Sequence, residues 1–92
     1  MFHVGPDGMV QFKFDHKSRD IVYLVGDFNQ WDDTCAPMEN RYDKWFLALQ
    51  LKPGEYQFKY KTGKLWYNDQ YAEKYVKGIS GGKISVVTVD SD

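Results

Sequence analysis

Two tryptophans, one lysine and one asparagine in this sequence have the side-chain chemistry to bind a sugar. The indole rings of Trp31 and Trp66 offer flat apolar faces on which the C–H face of a pyranose can stack. The ammonium group of Lys59 and the amide of Asn68 can hydrogen-bond to the sugar hydroxyls. Trp31 stands among polar turn residues, where a large apolar ring needs either a hydrophobic support or a ligand. These four residues are therefore candidates for a binding surface.

The strands around these residues determine whether they meet. Residues 22–28 alternate as a strand and run into a polar turn that presents Trp31 just past the strand end. In residues 56–60 the aromatic side chains face inward, so the alternation of a strand directs Lys59 outward. The turn that follows returns the chain, which predicts Trp66 as a cross-strand neighbour of Lys59.

The free energy available to such a site is small. Covering about 100 Å² of one indole contributes roughly 2.5 kcal/mol at ~25 cal/mol per Å². A few net hydrogen bonds add about 1 kcal/mol each, whereas association costs at least ~4 kcal/mol. The resulting dissociation constant is on the order of 10–1000 µM for a short oligosaccharide. The expected target is therefore a polymer that repeats its ligand many times.

The hydrophobic pattern predicts an all-β protein. Alternating runs separated by Gly, Pro and polar turns occur at residues 9–15, 22–28, 38–42, 45–51, 56–61, 65–67 and 84–89. The first two runs are predicted to form a hairpin, and residues 71–74 to include a helical turn. Short strands with turns at intervals of about 8 to 12 residues indicate an immunoglobulin-like β-sandwich of two antiparallel sheets.

The same alternation predicts the core. The side chains expected to face inward are Val10, Phe12, Phe14, Val22, Leu24, Phe28, Leu47, Leu49, Tyr56, Phe58 and Tyr60. Trp45 is in phase with the leucines that follow it, so we assign it to the core rather than to a binding surface. Fully burying each such side chain contributes roughly 1.5–3 kcal/mol before chain entropy is subtracted, which can hold a domain of this size.

Composition restricts the function. The 92 residues suffice for one domain, residues 1–92. The formal net charge of -1 gives no electrostatic basis for binding nucleic acid or an anionic membrane. No apolar run approaches the roughly 20 residues of a membrane span, and the N-terminus has no signal-peptide pattern. Cys35 has no partner for an intramolecular disulfide, so the expected location is reducing and cytoplasmic.

The sequence offers no pattern for catalysis or metal binding. Glycoside hydrolysis needs two carboxylates across a cleft. The carboxylates in polar turns are interpreted as turn formers: Asp27, Asp32, Asp33, Asp43 and Asp69. Neither His3 nor His16 forms a recognisable nucleophile motif with Cys35, and the three lack the spacing of a metal site. We therefore predict a protein that is not an enzyme and uses no cofactor or metal.

Several segments closely resemble carbohydrate-binding module family 48. They are VYLVGDFNQW at 22–31 with Pro37-Met38, LQLKPGEYQFKY at 49–60, and Trp66 with Asn68-Asp69. This family includes the glycogen-binding domain of the β subunit of AMP-activated protein kinase and the N-terminal modules of branching enzymes and isoamylases. The resemblance covers about residues 8–89. It implies an immunoglobulin-like sandwich of the early-set type that binds α-1,4-linked glucan, such as glycogen, starch or malto-oligosaccharides.

The resemblance also implies roles for particular residues. By position, Trp31 and Trp66 resemble the two stacking platforms, and Lys59 resembles the hydrogen-bonding lysine between them. Ile79 is the nearest candidate for a leucine that clasps the glucan, and Ile84 stands where the kinase modules carry an asparagine. A kinase or a glucan-processing enzyme is implied as a partner.

Plainer interpretations compete with these roles. Trp31 could cap the sandwich, and Trp66 could pack at the edge of the core. The cluster of Lys74, Lys77 and Lys83 is interpreted as a solvated face. A second function is a protein-interaction module that docks a kinase or glucan-processing enzyme, and a third possibility is a piece of a larger enzyme. Exposure of the two indoles would favour the sugar.

Overall fold

The computed structural model describes residues 2–17, 19–78 and 82–90. These residues form nine β-strands and one short 3-10 turn. The strands are β1 Phe2–Val4, β2 Met9–Asp15, β3 Val22–Gly26, β4 Glu39–Arg41, β5 Lys44–Gln50, β6 Gly54–Thr62, β7 Leu65–Tyr67, β8 Lys74–Lys77 and β9 Lys83–Val89, and the 3-10 turn is Asp27–Asn29. The strands make two antiparallel sheets, in the orders β1-β2-β5-β4 and β3-β6-β9-β8, with β7 also paired to β6. The predicted all-β sandwich is confirmed.

Strand β6 organises the second sheet. Its last five residues pair with β3, from Phe58 opposite Gly26 to Thr62 opposite Val22. On its other side, the first half pairs with β9 and the end pairs with β7. One strand therefore connects the loop after β3, the β6–β7 hairpin and the start of β9. Outward side chains near the middle of β6 lie between all three.

Aromatic rings from both sheets fill the core. The Phe12 and Phe58 rings meet edge to face with centroids 5.2 Å apart, and Phe14 stacks on Tyr60 at 4.4 Å. Seven of the predicted inward side chains are buried, and the other four, Phe28, Leu47, Leu49 and Tyr56, are partly buried and pack against them. Trp45 is 6% exposed and its Nε1 donates a hydrogen bond to the carbonyl of His16, which confirms its assignment to the core.

The predicted hairpin between the first two alternating runs is wrong. Strand β2 pairs with β1 and β5, whereas β3 pairs with β6 in the opposite sheet. Both strands present an apolar face to the same core, but they approach it from opposite sides. Alternation identifies the buried face of a strand and does not identify its partner. The turn between them therefore crosses from one sheet to the other.

The predicted helical turn at residues 71–74 is also wrong. The Tyr71 N–H donates to Asp69 Oδ1 at 2.8 Å, which starts a bend, and the chain then enters β8. Strand β8 pairs with β9 from Lys74 opposite Val86 to Lys77 opposite Lys83. This pairing satisfies backbone groups of β9 that would otherwise form an open edge, which outweighs the weak helical preference of a short polar segment.

Candidate functional site

The chain after β3 is folded so that Trp31 is presented at the outer face of the second sheet. Gly26 ends the strand, and a Cβ atom there would lie 2.5 Å from the backbone oxygen of Gln57, so the close approach of β3 to β6 requires glycine. The Asn29 side chain accepts from the Gly26 N–H and donates to the Leu24 carbonyl, both at 3.0 Å. The Trp31 N–H then closes the loop on the Gly26 carbonyl at 2.9 Å.

A carboxylate fixes the orientation of the Trp31 ring. Asp27 Oδ1 accepts a hydrogen bond from Trp31 Nε1 at 2.8 Å, while Oδ2 accepts from the backbone N–H of Gln57 at 2.8 Å. Asp27 therefore joins the indole to β6. Gln30 and Trp31 both adopt left-handed backbone conformations, with φ of 55° and 58°. The half-buried ring is held by the loop and does not belong to the core cluster.

Trp66 is presented by the β6–β7 hairpin. The register sets Trp66 directly opposite Lys61, and Lys59, which was predicted as a cross-strand neighbour, is its diagonal neighbour on the same face. The two-residue turn at Gly63 and Lys64 explains this register, because it pairs residue 62 with 65 and hence 61 with 66. Counting back from that turn in the sequence gives the same register.

Lys61 holds one face of the Trp66 ring. Its ammonium nitrogen lies 5.0 Å from the ring centroid, within the range of a cation–π interaction. The same nitrogen is paired with the carboxylate of Asp33, in the loop that follows Trp31. Trp66 is 43% exposed. The ion pair therefore links strand β6, beside Trp66, to the loop that follows Trp31.

Trp31, Lys59 and Trp66 line one open cavity of about 700 Å³. Its other lining residues are Gln57, Lys77, Gly78, Gly82, Lys83 and Ile84. The cavity extends over the outer face of the second sheet, from the loop after β3 to β7 and to the ends of β8 and β9. Three of the predicted binding residues are thus brought together from separate parts of the chain.

Asn68 stands apart from this group. The Asn68 amide donates to the Lys83 carbonyl at 2.8 Å, and its oxygen accepts from the N–H and the hydroxyl of Ser85 at 3.1 Å each. Asn68 does not line the cavity, and both ends of its amide fasten the chain to β9. Its predicted sugar contact stays a prediction. Ile79, the other predicted binding residue, lies outside the described residues.

Sequence reasoning missed several lining residues. Gln57 could have been found, because the alternation that directs Lys59 outward directs Gln57 the same way. Lys77 and Lys83 were interpreted as a solvated face; they are exposed, but they also line the cavity. Ile84 gives the wall an apolar side chain at the position where the resemblance leads one to expect asparagine.

A buried polar network supports the chain that leads from β7 to β8. Asp69 is 1% exposed and accepts a hydrogen bond from the Tyr60 hydroxyl at 2.8 Å, while its N–H donates to Ser85 Oγ at 2.8 Å. Burial raises the pKa of Tyr60 well above its ordinary value, and the negative charge and hydrogen bond of Asp69 raise it further. Tyr60 therefore stays protonated as a hydrogen-bond donor. Asp69, which was interpreted as a turn former, accepts from the Tyr71 N–H at the start of the bend and is in addition an anchor inside the fold.

A metal site and a membrane-spanning helix require features that the described residues lack. Among residues 2–17, 19–78 and 82–90, no three His, Cys, Asp or Glu side chains are grouped so that they could hold a metal ion. The described part of the chain also contains no helix with the length and apolar character needed to cross a membrane.

Comparison with known proteins identifies the family. Residues 9–92 match the family described as the glycogen recognition site of AMP-activated protein kinase. The chain belongs to this family. The resemblance inferred from the sequence motifs is thereby confirmed, and the family is a carbohydrate-binding module.

Part of the chain is also similar to part of a known enzyme. The chain is 43% identical over 49 residues to a 1,4-alpha-glucan-branching enzyme of Dictyostelium discoideum. The aligned part covers 52% of this chain and 7% of the relative. The chain thus matches only a small part of the length of this relative.

Proposed function

We propose that this module binds α-1,4-linked glucan in the cavity between Trp31 and Trp66. The observation that carries the proposal is that two indoles, one from the loop after β3 and one from β7, line the same open cavity in a chain of a glycogen-recognition family. A tryptophan that only caps the core would be packed among the buried side chains. Neither indole belongs to the buried core cluster: Trp66 is 43% exposed, and Trp31 is half-buried and held by a hydrogen bond to Asp27.

Each side chain has a separate task in this proposal. The indoles stack on the C–H faces of glucose units, with Trp31 held by Asp27 and Trp66 backed by Lys61. The Lys59 ammonium donates hydrogen bonds to hydroxyl oxygens. The Gln57 amide both donates and accepts, as a sugar hydroxyl requires.

The proposed binding is non-catalytic. No Asp or Glu side chain lines the described part of the cavity, whereas glycoside hydrolysis uses two carboxyl groups. Asp27, the carboxylate that is hydrogen-bonded to the Trp31 indole, is occupied by two N–H donors. The module therefore concentrates glucan and leaves its chemistry to a partner.

We further propose that the partner is a glucan-processing enzyme or a kinase, in the same chain or in another. The similarity to part of a branching enzyme supports the first of these. A cytoplasmic setting fits the exposed and unpaired thiol of Cys35, since such thiols are usual in reducing compartments.

Affinity electrophoresis tests the function. Wild type, Trp31→Ala and Trp66→Ala are run in native gels with and without glycogen, and circular dichroism checks that each is folded. Loss of one stacking platform of roughly 2.5 kcal/mol corresponds to a loss of affinity of about 70-fold, so both variants should migrate as if no glycogen were present.

The matched control is Tyr42→Ala. Tyr42 is an aromatic residue with 97% exposure in the turn between β4 and β5, on the opposite sheet. Its loss should leave the retardation by glycogen unchanged. The proposal would be overturned if glycogen did not alter the migration of the wild-type protein. Equal retardation of all three variants would show that the glycogen-binding site lies outside this cavity.

A further inference from the structure

Lys61 differs from the other paired lysines because its ion pair is partly buried. The side chains of Lys61 and Asp33 are 23% and 37% exposed. In each of the other ion pairs between described residues, at least one side chain is more than half exposed. Water and salt screen an exposed pair strongly and a partly buried pair much less. Of these pairs, Lys61 with Asp33 is therefore best able to hold its groups in place.

Lys61 lies in the same row of outward side chains as Trp66. It pairs with Tyr23 of β3 on one side of β6 and with Trp66 of β7 on the other. Residues directly opposite each other on neighbouring strands present their side chains to the same face. This register explains why the Lys61 ammonium reaches the Trp66 ring, 5.0 Å from its centroid. The contact is thus built into the strand pairing.

Within the described part of the chain, Trp66 has no hydrogen bond or ring pair that orients its indole. The Nε1 atoms of Trp31 and Trp45 each donate a hydrogen bond, whereas that of Trp66 has no acceptor among the described residues. The Trp66 ring is 43% exposed. Exposed side chains change rotamer within nanoseconds unless a contact holds them. The orientation of Trp66 therefore depends on the cation that lies over its face, Lys61.

Asp33 connects this contact to the other indole. It stands two residues after Trp31 in the same loop, and its carboxylate pairs with the Lys61 ammonium. The loop is itself fastened to the sheet, because the Trp31 N–H donates to the Gly26 carbonyl at 2.9 Å. The cation over Trp66 is thus held from the loop that carries Trp31. One ion pair lies between the two stacking platforms of the proposed site.

We infer that Lys61 and Asp33 are positioning residues, which hold the Trp66 indole in a fixed relation to the loop of Trp31, so that affinity for an uncharged glucan depends on this ion pair. The inference rests on the proposed function, because the two indoles must bind the glucan. A ring that is not held must be ordered when the ligand binds. The entropy lost in that step lowers affinity about 2- to 12-fold.

Titration calorimetry of the whole chain with uncharged maltoheptaose tests the inference. Lys61→Met removes the charge and keeps an apolar stem, so affinity should fall about 2- to 12-fold. Lys61→Arg keeps a cation for the ring and a donor for Asp33, and its affinity should stay within about twofold of the wild type. The matched control is Lys64→Met, which removes the same charge from an exposed lysine of the adjoining turn and should leave affinity unchanged.

Fluorine NMR of the ligand-free protein, labelled with 5-fluorotryptophan, reports on each ring directly. The signals are assigned by replacing each tryptophan with phenylalanine in turn. In Lys61→Met the Trp66 signal should shift and sharpen because the ring gains motion, while the signal of the buried Trp45 stays in place. Asp33→Ala should move the Trp66 signal in the same direction, although Asp33 lies in the loop of Trp31. Asp33→Ala also keeps the test available if Lys61→Met does not fold.

The outcomes separate this inference from the proposed function. Wild-type affinity for maltoheptaose in a folded Lys61→Met protein would overturn the inference and leave glucan binding intact. An equal loss of affinity in Lys61→Met and Lys61→Arg would also overturn it, because the cation would then not be the group responsible. An unmoved Trp66 signal in Asp33→Ala would break the proposed link between the platforms and overturn the inference. A wild type that does not bind maltoheptaose would overturn the proposed function, and the inference with it.

Discussion

Asp27 connects the fold to the candidate site, so its removal gives the most direct test of the geometry. In Asp27→Ala the Trp31 Nε1–H and the Gln57 N–H both lose their acceptor, each bonded at 2.8 Å in the wild type. Asp27 itself is exposed and does not line the cavity, but it is hydrogen-bonded to two residues that do, Trp31 and Gln57. The substitution therefore disturbs the presentation of Trp31 without removing the ring.

The expected magnitudes follow from these two bonds. Each contributes about 0.5–1.5 kcal/mol net, so Asp27→Ala should lower the free energy of unfolding by about 1–3 kcal/mol. A ring that is no longer held must be ordered when glucan binds, at a cost of about 0.5–1.5 kcal/mol. Glucan affinity should therefore fall by about 2- to 12-fold. The loss is smaller than for Trp31→Ala, because the stacking surface is still present.

Urea denaturation followed by tryptophan fluorescence measures the first effect, and titration calorimetry with maltoheptaose measures the second. The control is Asp15→Ala, which removes the same charge from an exposed position in the other sheet, where the carboxylate lies 3.9 Å from the Lys13 ammonium. It should change neither quantity by more than about 0.5 kcal/mol. Unchanged glucan affinity in a folded Asp27→Ala protein would refute the idea that Asp27 positions the ring.

Two further predictions concern stability. In Gly26→Ala the new Cβ would lie 2.5 Å from the Gln57 backbone oxygen, so urea denaturation should show that the free energy of unfolding falls by about 2 kcal/mol or more. The control is Gly82→Ala, whose Cβ would meet nothing within 4 Å and whose free energy of unfolding should hardly change. Equal effects of the two substitutions would contradict the steric argument. In Tyr60→Phe the buried Asp69 loses a donor, so stability at pH 8 should fall by about 1.5–3 kcal/mol. The pKa of Tyr60 is raised above 10.0 in the folded state, chiefly by burial. Its contribution to the free energy of unfolding is therefore fully present below about pH 10 and is lost as the pH rises further. The difference in stability between wild type and Tyr60→Phe should narrow at pH 10.5, and a constant difference would refute this linkage.

The sequence predicted the buried faces of the strands better than it predicted which strands are neighbours. Period-two alternation follows from the backbone, because successive side chains of any strand point to opposite sides. Phe12 and Phe14 were therefore assigned to the core correctly, and so was Trp45. The pairing of β2 with β5 and of β3 with β6 depends on contacts between distant segments, which no local pattern encodes. The hairpin predicted between β2 and β3 failed for this reason.

The candidate site was predictable to the extent that one strand or one turn determines it. The outward direction of Lys59 follows from alternation, and the register of Trp66 follows from the two-residue turn before it. The meeting of these residues with Lys77, Lys83 and Ile84 requires β9 to lie beside β6, which the sequence alone does not show. The lysines were therefore interpreted as solvated, although their spacing around the loop between β8 and β9 was visible.

The two indoles are held by groups of opposite charge, Trp31 by the carboxylate of Asp27 and Trp66 by the ammonium of Lys61. These contacts determine which faces of the rings stay open to a ligand. Asp27 accepts from the edge of Trp31 and leaves the faces of that ring uncovered by its own hydrogen bond. Lys61 instead lies over a face of Trp66, where Asp33 neutralises its charge. In the proposed binding, a glucose unit would therefore stack on the opposite face of Trp66. The ion pair between β6 and the loop after Trp31 thus restricts which face of Trp66 is open to a ligand.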